Sequence, residues 1–584
     1  MGVPVVTVMA AVCLTLISHT TQSCTRGSIR ECKKAEFAPG STLAGEGFDI
    51  TKMQRTGVSV IDMSLWRGED NTCLLCRNPY QEGKMQKVPL AVVDWRPSEE
   101  CSVRVISTQH QSSESLMRSS TSSVENNWEA AVGLQANVGR GSLMLAGSKS
   151  KLADYSLEKM WDKFTFFSQK VFCSHYSYRV SNQAVLHPEF QRAVNLLPKK
   201  YTTENKQHFF KLIDTFGTHS MTKVTLGGMV QSVTSIRRCL ASLQGLTVDE
   251  IQMCLNVEAE VSVGRRSHQA GTELKRCQAV KNKLEAKESI SATIKDRFTE
   301  VVGGNTTERD TFQKWLSSVP GHPEVMSYSL DPLHELLPSN LPVRRELRKA
   351  IRHYILERGL WQHCPGPCVY GIKRDPEEPC VCSCDGDPGL GGDCCPTKRG
   401  LARVIITVVG TSGLWGDYTT ATDAYVKVLN SQNMEIGRTP VIWDNDSPQW
   451  NMDFDLGYVI LSQTSTVIEV WDEDSKWDDD LLGTCTINLM DLGRGGWTIC
   501  GKIKIHSEIA VTCGPSLSGS SCSEYISSPV DGQHIQPIPE EILMKMGVFE
   551  DDELPPQLNV KNKGVHGRIL PDSGQHNQLR RDSS

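Results

Sequence analysis

The sequence predicts an α+β multidomain chain: a large mixed domain, a short cysteine-stapled module and a C-terminal β-sandwich, in that order. Three observations predict it. Residues 24–363 form one long stretch that mixes amphipathic helical segments with segments alternating apolar and polar side chains. Residues 364–395 hold seven cysteines in 32 positions, too dense for a hydrophobic core and typical of a stapled module. Residues 396–525 carry RVIITVV, DAYVKVL and TVIEVW separated by polar turns, the pattern of a β-sandwich. The 584 residues leave room for about three or four such units.

At the N-terminus, residues 3–17 are apolar and are followed by small and polar residues up to Cys24. Residues 1–23 therefore read as a secretory signal peptide, although no Lys or Arg precedes Arg26. The run is short for a spanning helix, which needs about 20 residues, and no later segment approaches that length. If the chain crosses a membrane, ordinary helices do not carry it. Of 21 cysteines, Cys13 falls in the signal and twenty remain, which implies an oxidising compartment, a disulfide framework and no thiol nucleophile. In that setting Asn305, in Asn305-Thr306-Thr307, is a glycosylation candidate; Asn445 is a weaker one because Pro448 follows its sequon. A net charge of −6 argues against nucleic acid as the main partner, so any membrane affinity is local or carried by a bridging cation. Residues 526–584, rich in Pro, Gly, Ser and Gln, are expected to be a disordered tail.

The sandwich segment carries acids at three strand-to-strand junctions: Asp417 and Asp423, then Asp472 and Asp474, then Asp479 and Asp480. A single acidic run is ordinarily a solvated turn. Carboxylates recurring at three junctions of one sandwich repel one another unless a divalent cation neutralises them, and calcium takes six to eight oxygens from such loops. The stretches GDYTTATDAYVKV and VWDEDSKWDDDLLG resemble the C2 family. The resemblance implies calcium ligands at Asp417, Asp423, Asp472, Asp474 and Asp480, with Asp479 as an accessory. Trp415, Tyr418 and Trp477 flank these acids, and burying them would bury the acids too; they suit the headgroup level of a bilayer. The alternative is that Trp415 and Trp477 cap the sandwich. Position 475 is serine where relatives of this kind often have an aromatic, which implies weaker insertion or a share taken by Lys476.

In the large domain, residues 209–228 read FFKLIDTFGTHSMTKVTLGG: an amphipathic helix stopping at Gly217, then a strand ending in Gly227-Gly228. His219 has no serine, carboxylate or metal-ligand partner at a recognisable spacing, so it is a packed side chain rather than a base. As a block the segment resembles the signature of the membrane attack complex/perforin (MACPF) family, and Gly227 and Gly228 fit the hinge of a bent sheet. Two other stretches alternate strictly. Trp128, Val132 and Leu134 lie on the apolar phase of 128–138, and Val257, Val261 and Val263 on that of 255–263. Length and period suit transmembrane β-strands, apolar toward lipid and polar toward a lumen. A half-buried strand of a soluble sheet has the same pattern. The polar residues 148–170 and 268–302 that follow read as short helices or, re-registered, as strands. The MACPF resemblance implies a bent central β-sheet flanked by two helical clusters, at about 115–170 and 250–300, that unfurl into two hairpins per subunit.

Cys73-Leu-Leu-Cys76 could be half a zinc site, but no second CxxC at a zinc-ribbon spacing exists and the compartment is oxidising, so disulfides are expected. The resemblance implies that Cys24 and Cys32 pair with Cys76 and Cys73, and Cys101 with Cys173. The module at 364–395 resembles a degenerate epidermal-growth-factor-like (EGF-like) domain whose seventh cysteine, Cys394 or Cys395, pairs with Cys239. The whole order implies a secreted, calcium-dependent pore-forming cytolysin, stored in secretory or cytolytic granules. It binds the phospholipid membrane of a target cell through its C2 domain, closes head-to-tail into a homo-oligomeric ring and inserts a β-barrel in immune killing. No nucleophile, base and orienting group form a set, so no catalytic residue or small-molecule substrate is assigned. The competing expectation is a non-lytic C2/MACPF adhesion or signalling protein; that would carry charges on the apolar phase of 128–138 and 255–263, which this chain lacks.

Overall fold

The computed structural model describes residues 24–134, 137–138, 141–264, 274–280, 282, 294–305, 312–363, 367–373, 382–415, 420–474, 479–490, 496–529 and 534–546. Its centre is a seven-stranded antiparallel sheet built on three long strands, Val92–His110, Phe164–Val180 and His219–Arg237. Glu46–Asp49 and Gln54–Ser59 extend the sheet beside the start of His219–Arg237. The other edge of His219–Arg237 changes partner midway. Glu324–Pro332 pairs with His219 through Gly227, and Ile294–Val302 with Met229 through Ile236. The change falls at the glycine pair. The register against Phe164–Val180 also slips there, between Leu226 and Gly227.

One face of the sheet is covered by two helices. Lys206–Phe216 buries Phe209, Phe210, Leu212, Ile213 and Phe216, the i, i+3, i+4 stripe expected of a core-facing helix. It stops at Gly217, whose φ of +86° and closeness to the Phe48 carbonyl (a Cβ would lie 2.6 Å from that oxygen) exclude any other residue. Pro342–Arg358 places Leu347, Ala350, Ile351, Tyr354 and Ile355 in the same core, all at 0 % exposure.

Much of the two alternating stretches is helical in this form: residues 128–132 and 255–262 lie in helices, whereas Asn137–Val138, at the end of the first, is a short strand paired with Gly141–Met144. Trp128–Val132 is a short helix capped by Asn127 and closed by Gly133; Trp128 and Val132 enter the main core. Val248–Ser262 begins with a capping box of Thr247 and Glu250 and buries Ile251, Cys254, Leu255 and Val257 against Phe167 and Ile236. The reason is visible in the composition. Positions 251, 254 and 255 satisfy helical spacing, Ala and Glu favour helix, and each helix starts at a capping residue, Asn127 for the first and Thr247, eight positions before Leu255, for the second. Ser113–Ser119 and Lys151–Leu157 join the first group, and residues 274–280 the second, with Arg238–Leu243 just before its expected range. Phe164–Val180 and Ile294–Val302, at the ends of the ranges 115–170 and 250–300, are strands of the central sheet instead.

Disulfides join Cys24 to Cys76, Cys32 to Cys73 and Cys101 to Cys173 in the large domain, and Cys254 to Cys277 within the second helical group. Cys239–Cys395 ties the large domain to the cysteine module, which has its own Cys368–Cys382 and Cys384–Cys394 bridges. The C-terminal unit is a sandwich of two four-stranded sheets. Val404, Ile406 and Val408 of one sheet face Val426, Val428, Ile468 and Val470 of the other, all fully buried at period two.

The expectation of a disordered tail from 526 is corrected for its first part. His534–Pro537 is a strand paired with Leu360–His363, and Glu540–Lys545 is a helix whose Ile542 and Leu543 pack on the main core. An Ile-x-x-Ile pattern running through prolines supplies the apolar anchors that composition alone conceals. Residues 1–23 and 547–584 lie outside the described residues.

Candidate calcium site and the helices beside the central sheet

At one end of the sandwich, three strand ends stand side by side. Ala424 pairs with Asp472, and Asp472 with Asp480, so the preceding Asp423 and both paired aspartates share one rim. The rim is ordered by backbone donors. The Asp423 N–H donates to Asp472 Oδ1 at 2.8 Å, and the Asp444 N–H to Asp423 Oδ1 at 2.7 Å. Asp472 is 4 % exposed, Asp423 and Asp474 are half-buried, and Asp479 and Asp480 are exposed. Asp479 Oδ2 accepts the Tyr425 hydroxyl at 2.8 Å; burial first, and then Asp479, raises that phenol above its ordinary range. Asp417, Tyr418 and Trp477 lie outside the described residues.

Asp423, Asp472, Asp474 and Asp480 are carboxylates, the oxygen type a hard divalent cation takes, on adjacent strand ends. Among the described residues no three of them lie within 4.8 Å of one another, and a backbone N–H fixes one oxygen each of Asp423 and Asp472. Trp415 stands 64 % exposed beside this rim. A further loop, entered in the sequence expectations only through the glycosylation candidate Asn445, joins it. Trp443 is 62 % exposed, the next residue, Asp444, holds Asp423, and Asp446 accepts the Thr422 N–H at 3.1 Å. The signal was present in Trp443-Asp444-Asn445-Asp446, which repeats the aromatic-plus-acid composition of the other loops. Asn445 Oδ1 accepts the Ser447 N–H at 2.8 Å within that loop, and the Asn305 N–H donates to Ser318 Oγ at 2.8 Å.

At the bend of the central sheet, a Cβ on Gly227 would lie 2.0 Å from the Cys173 carbonyl oxygen. One on Gly228 would meet Val319 at 2.7 Å and Trp315 at 2.9 Å. Two strands and the helix Phe312–Ser318 close on the pair, and only glycine fits. His219 is fully buried, with Nδ1 at 2.8 Å from Thr218 Oγ1 and its ring edge-on to Trp128 at 5.5 Å. Burial first, and then His334, push its pKa down to about 3, so it is a neutral packing residue at the root of the first helical group. Among the apolar-phase positions, Val132, Leu134, Val257 and Val263 are buried, while Val261 is 52 % exposed on the last turn of its helix.

Comparison with known proteins covers nearly all of this architecture. The MAC/Perforin domain family matches residues 37–363, the Perforin-1-like EGF domain family residues 363–397, and the C2 domain family residues 402–498. Perforin-1 of Mus musculus is 36 % identical over 529 residues, covering 86 % of this chain and 93 % of that protein. Perforin-1 of Homo sapiens is 36 % identical over 537 residues, covering 87 % and 94 %. The complement component C8 alpha chain of Oryctolagus cuniculus is 25 % identical over 314 residues, covering 50 % and 52 %.

Proposed function

The chain belongs to the MAC/Perforin family, and on that premise we propose that it is a secreted, calcium-dependent pore-forming cytolysin. It docks on target-cell membranes through its C2 domain, closes into a homo-oligomeric ring and inserts a β-barrel. The observation that carries this reading is a mismatch between sequence period and present conformation. Residues 255–263 alternate as a membrane strand does, yet most of them lie in the helix Val248–Ser262 beside the end of the central sheet. A segment written with two periods has two conformations available.

The geometry of the second hairpin fits a bilayer. Cys254 and Cys277 are bridged at a sequence separation of 23, which leaves 22 residues between them. Ten residues per strand, with two left for the turn, at about 3.3 Å rise and roughly 40° tilt reach about 25 Å, against an apolar band of about 25 Å. Antiparallel pairing continued from the disulfide sets Leu274, Thr272 and Ala270 opposite Val257, Ala259 and Val261 on the lipid phase, with Arg276 beside the disulfide and His268 beside the turn at the two ends of that phase. It sets Lys275, Glu273 and Gln269 opposite Asn256, Glu258 and Ser262 on the lumen phase.

Docking begins at the aspartate rim. Asp423, Asp472, Asp474 and Asp480 would hold calcium, which would neutralise their charge and supply coordination to lipid phosphate. Trp415 then sits at headgroup depth, with Trp443 on the neighbouring loop. Subunits confined to the surface associate through a heterologous contact that closes into a ring. The helical groups unfurl last, because an unpaired strand in lipid leaves its backbone unsatisfied until a neighbour arrives. The test is dye release from protein-free liposomes. Release with calcium and none with chelator is expected. Calcium-dependent sedimentation with liposomes but no release would favour the non-lytic reading.

A further inference from the structure

We propose that the segment following the C2 sandwich is a strap that holds the first helical group closed, and that it must come away before that group can unfurl. This rests on the pore-forming reading above. Three separate contacts place the strap. Immediately past the sandwich, the Tyr525 hydroxyl donates to Asp162 Oδ2 at 2.6 Å and the Ser528 N–H to Asp162 Oδ1 at 3.1 Å. Asp162 has a fully buried side chain and lies between the helix Lys151–Leu157 and the central strand Phe164–Val180. Further on, His534–Pro537 pairs with Leu360–His363, whose other edge pairs with Gly141–Met144 of the first group. There Ile535 packs on Met117, Met144, Ala153 and Leu360. Finally, Ile538 is 6 % exposed against the main core, and Arg352 donates to the Met546 carbonyl.

The strap therefore grips the group at both its ends. Met117 belongs to the helix Ser113–Ser119, Ala153 to Lys151–Leu157 and Met144 to the strand between them, so Ile535 sits where all three converge. Asp162 is the more telling contact. The pairing of Val92–His110 with Phe164–Val180 ends at His110 opposite Phe166. A hairpin made by unfurling residues 111–163 continues that ladder, and the same register sets Asp162 opposite Glu114. Asp162 also accepts the Lys163 N–H at 2.8 Å and lies 3.9 Å from Arg237 Nε; Tyr525 and Ser528 are the two donors the strap adds, and moving Asp162 into the ladder costs both of those bonds. The strap is also continuous with the C2 sandwich through Cys513–Cys522 and Tyr525, so displacement of a docked sandwich pulls directly on it.

Two full-length variants test this with calcium-dependent liposome sedimentation and dye release, the wild-type release serving as reference. Ile535→Asp loosens the strap; it should sediment as wild type does and release dye after a lag several-fold shorter. The second variant, Asp162→Cys with Ser528→Cys, tethers the strap. Its oxidised form should sediment but release no dye, and mild reductant added to the bound protein should restore release while leaving wild-type release unchanged. Release by the oxidised tether at the rate of its reduced form overturns the proposal, as does an unchanged or longer lag in a docking-competent Ile535→Asp. If wild type itself releases no dye, the pore-forming reading has failed instead, and the strap has no event to restrain.

Discussion

Replacing Val261 with Arg separates a barrel strand from every soluble role that residue could have. In the soluble form Val261 is 52 % exposed on the final turn of the helix Val248–Ser262. Arg there loses little burial. It gains a few tenths of a kcal/mol in helix propensity over a β-branched residue, and about 0.3–1 kcal/mol more as a cation near a helix C-terminus. The monomer should melt at or slightly above the wild-type temperature. In the barrel the balance reverses. Val261 is near the middle of a strand running from Leu255 toward Gly264, so Arg faces lipid near the midplane at a cost of about 2–4 kcal/mol per subunit. At 1.36 kcal/mol per factor of ten, that is roughly 30- to 900-fold against insertion for each subunit. Thermal unfolding, calcium-dependent sedimentation and dye release together read the outcome: normal melting, normal docking, lost release. Release at the wild-type level would refute the strand assignment, and a lowered melting temperature would refute the placement of Val261 on a solvent face. Val257→Arg and Val132→Arg cannot serve, because those residues are 3 % and 1 % exposed and would damage the monomer first.

Asp472→Asn keeps the acceptor for the Asp423 N–H but removes one charge from the rim, so the sandwich should melt normally while liposome binding at physiological calcium is lost; undiminished sedimentation would rule out docking through this site. His219 bears on acid stability. Its pKa is pushed down to about 3 in the fold, against about 6.5 unfolded, so the unfolded state binds the extra proton first as pH falls below 6.5. Stability from this group is complete above that pH and declines toward 3, by about 2 kcal/mol at pH 5. Denaturant unfolding of wild type and His219→Gln at pH 7.4 and 5.0 should show a shallower pH dependence in the variant, and equal slopes would remove His219 as a cause.

Much of this was legible in the chain because the informative residues are local. The aspartate rim could be read from Asp423, Asp472 and Asp480, since each sits one step from a β-branched or aromatic strand whose pairing is set by period two. Gly227-Gly228 could be read as a hinge because two adjacent glycines in a strand have few other uses. Trp443 and Asp444 were overlooked because their loop carries a glycosylation-like sequon and no long acidic run, and its closeness to Asp423 arises only from the fold. The strap was hidden for a similar reason. Ile535, Ile538, Ile542 and Leu543 are too sparse among Pro, Gln and Glu to register as a core pattern, and the surface they bind is built from residues some 200 to 400 positions earlier. The helices at 128–132 and 248–262 were ambiguous in principle. Their side chains satisfy both periods, and only the caps at Asn127 and Thr247, with partners on the sheet, decide for helix in the soluble form.

The central claim is that one segment exchanges a helical for a strand period when it enters a membrane, and site-by-site labelling measures that exchange directly. Single cysteines placed at each position from 255 to 263 carry a polarity-sensitive fluorophore, and emission is compared between soluble protein and calcium-bound protein on liposomes. In solution the label should follow the helix, apolar at 255 and 257 and polar at 258, 261 and 262. On liposomes the account predicts strict alternation: an apolar, lipid-quenched environment at 255, 257, 259, 261 and 263, and an aqueous one at 256, 258, 260 and 262. Retention of the helical pattern on membranes that are releasing dye would contradict it.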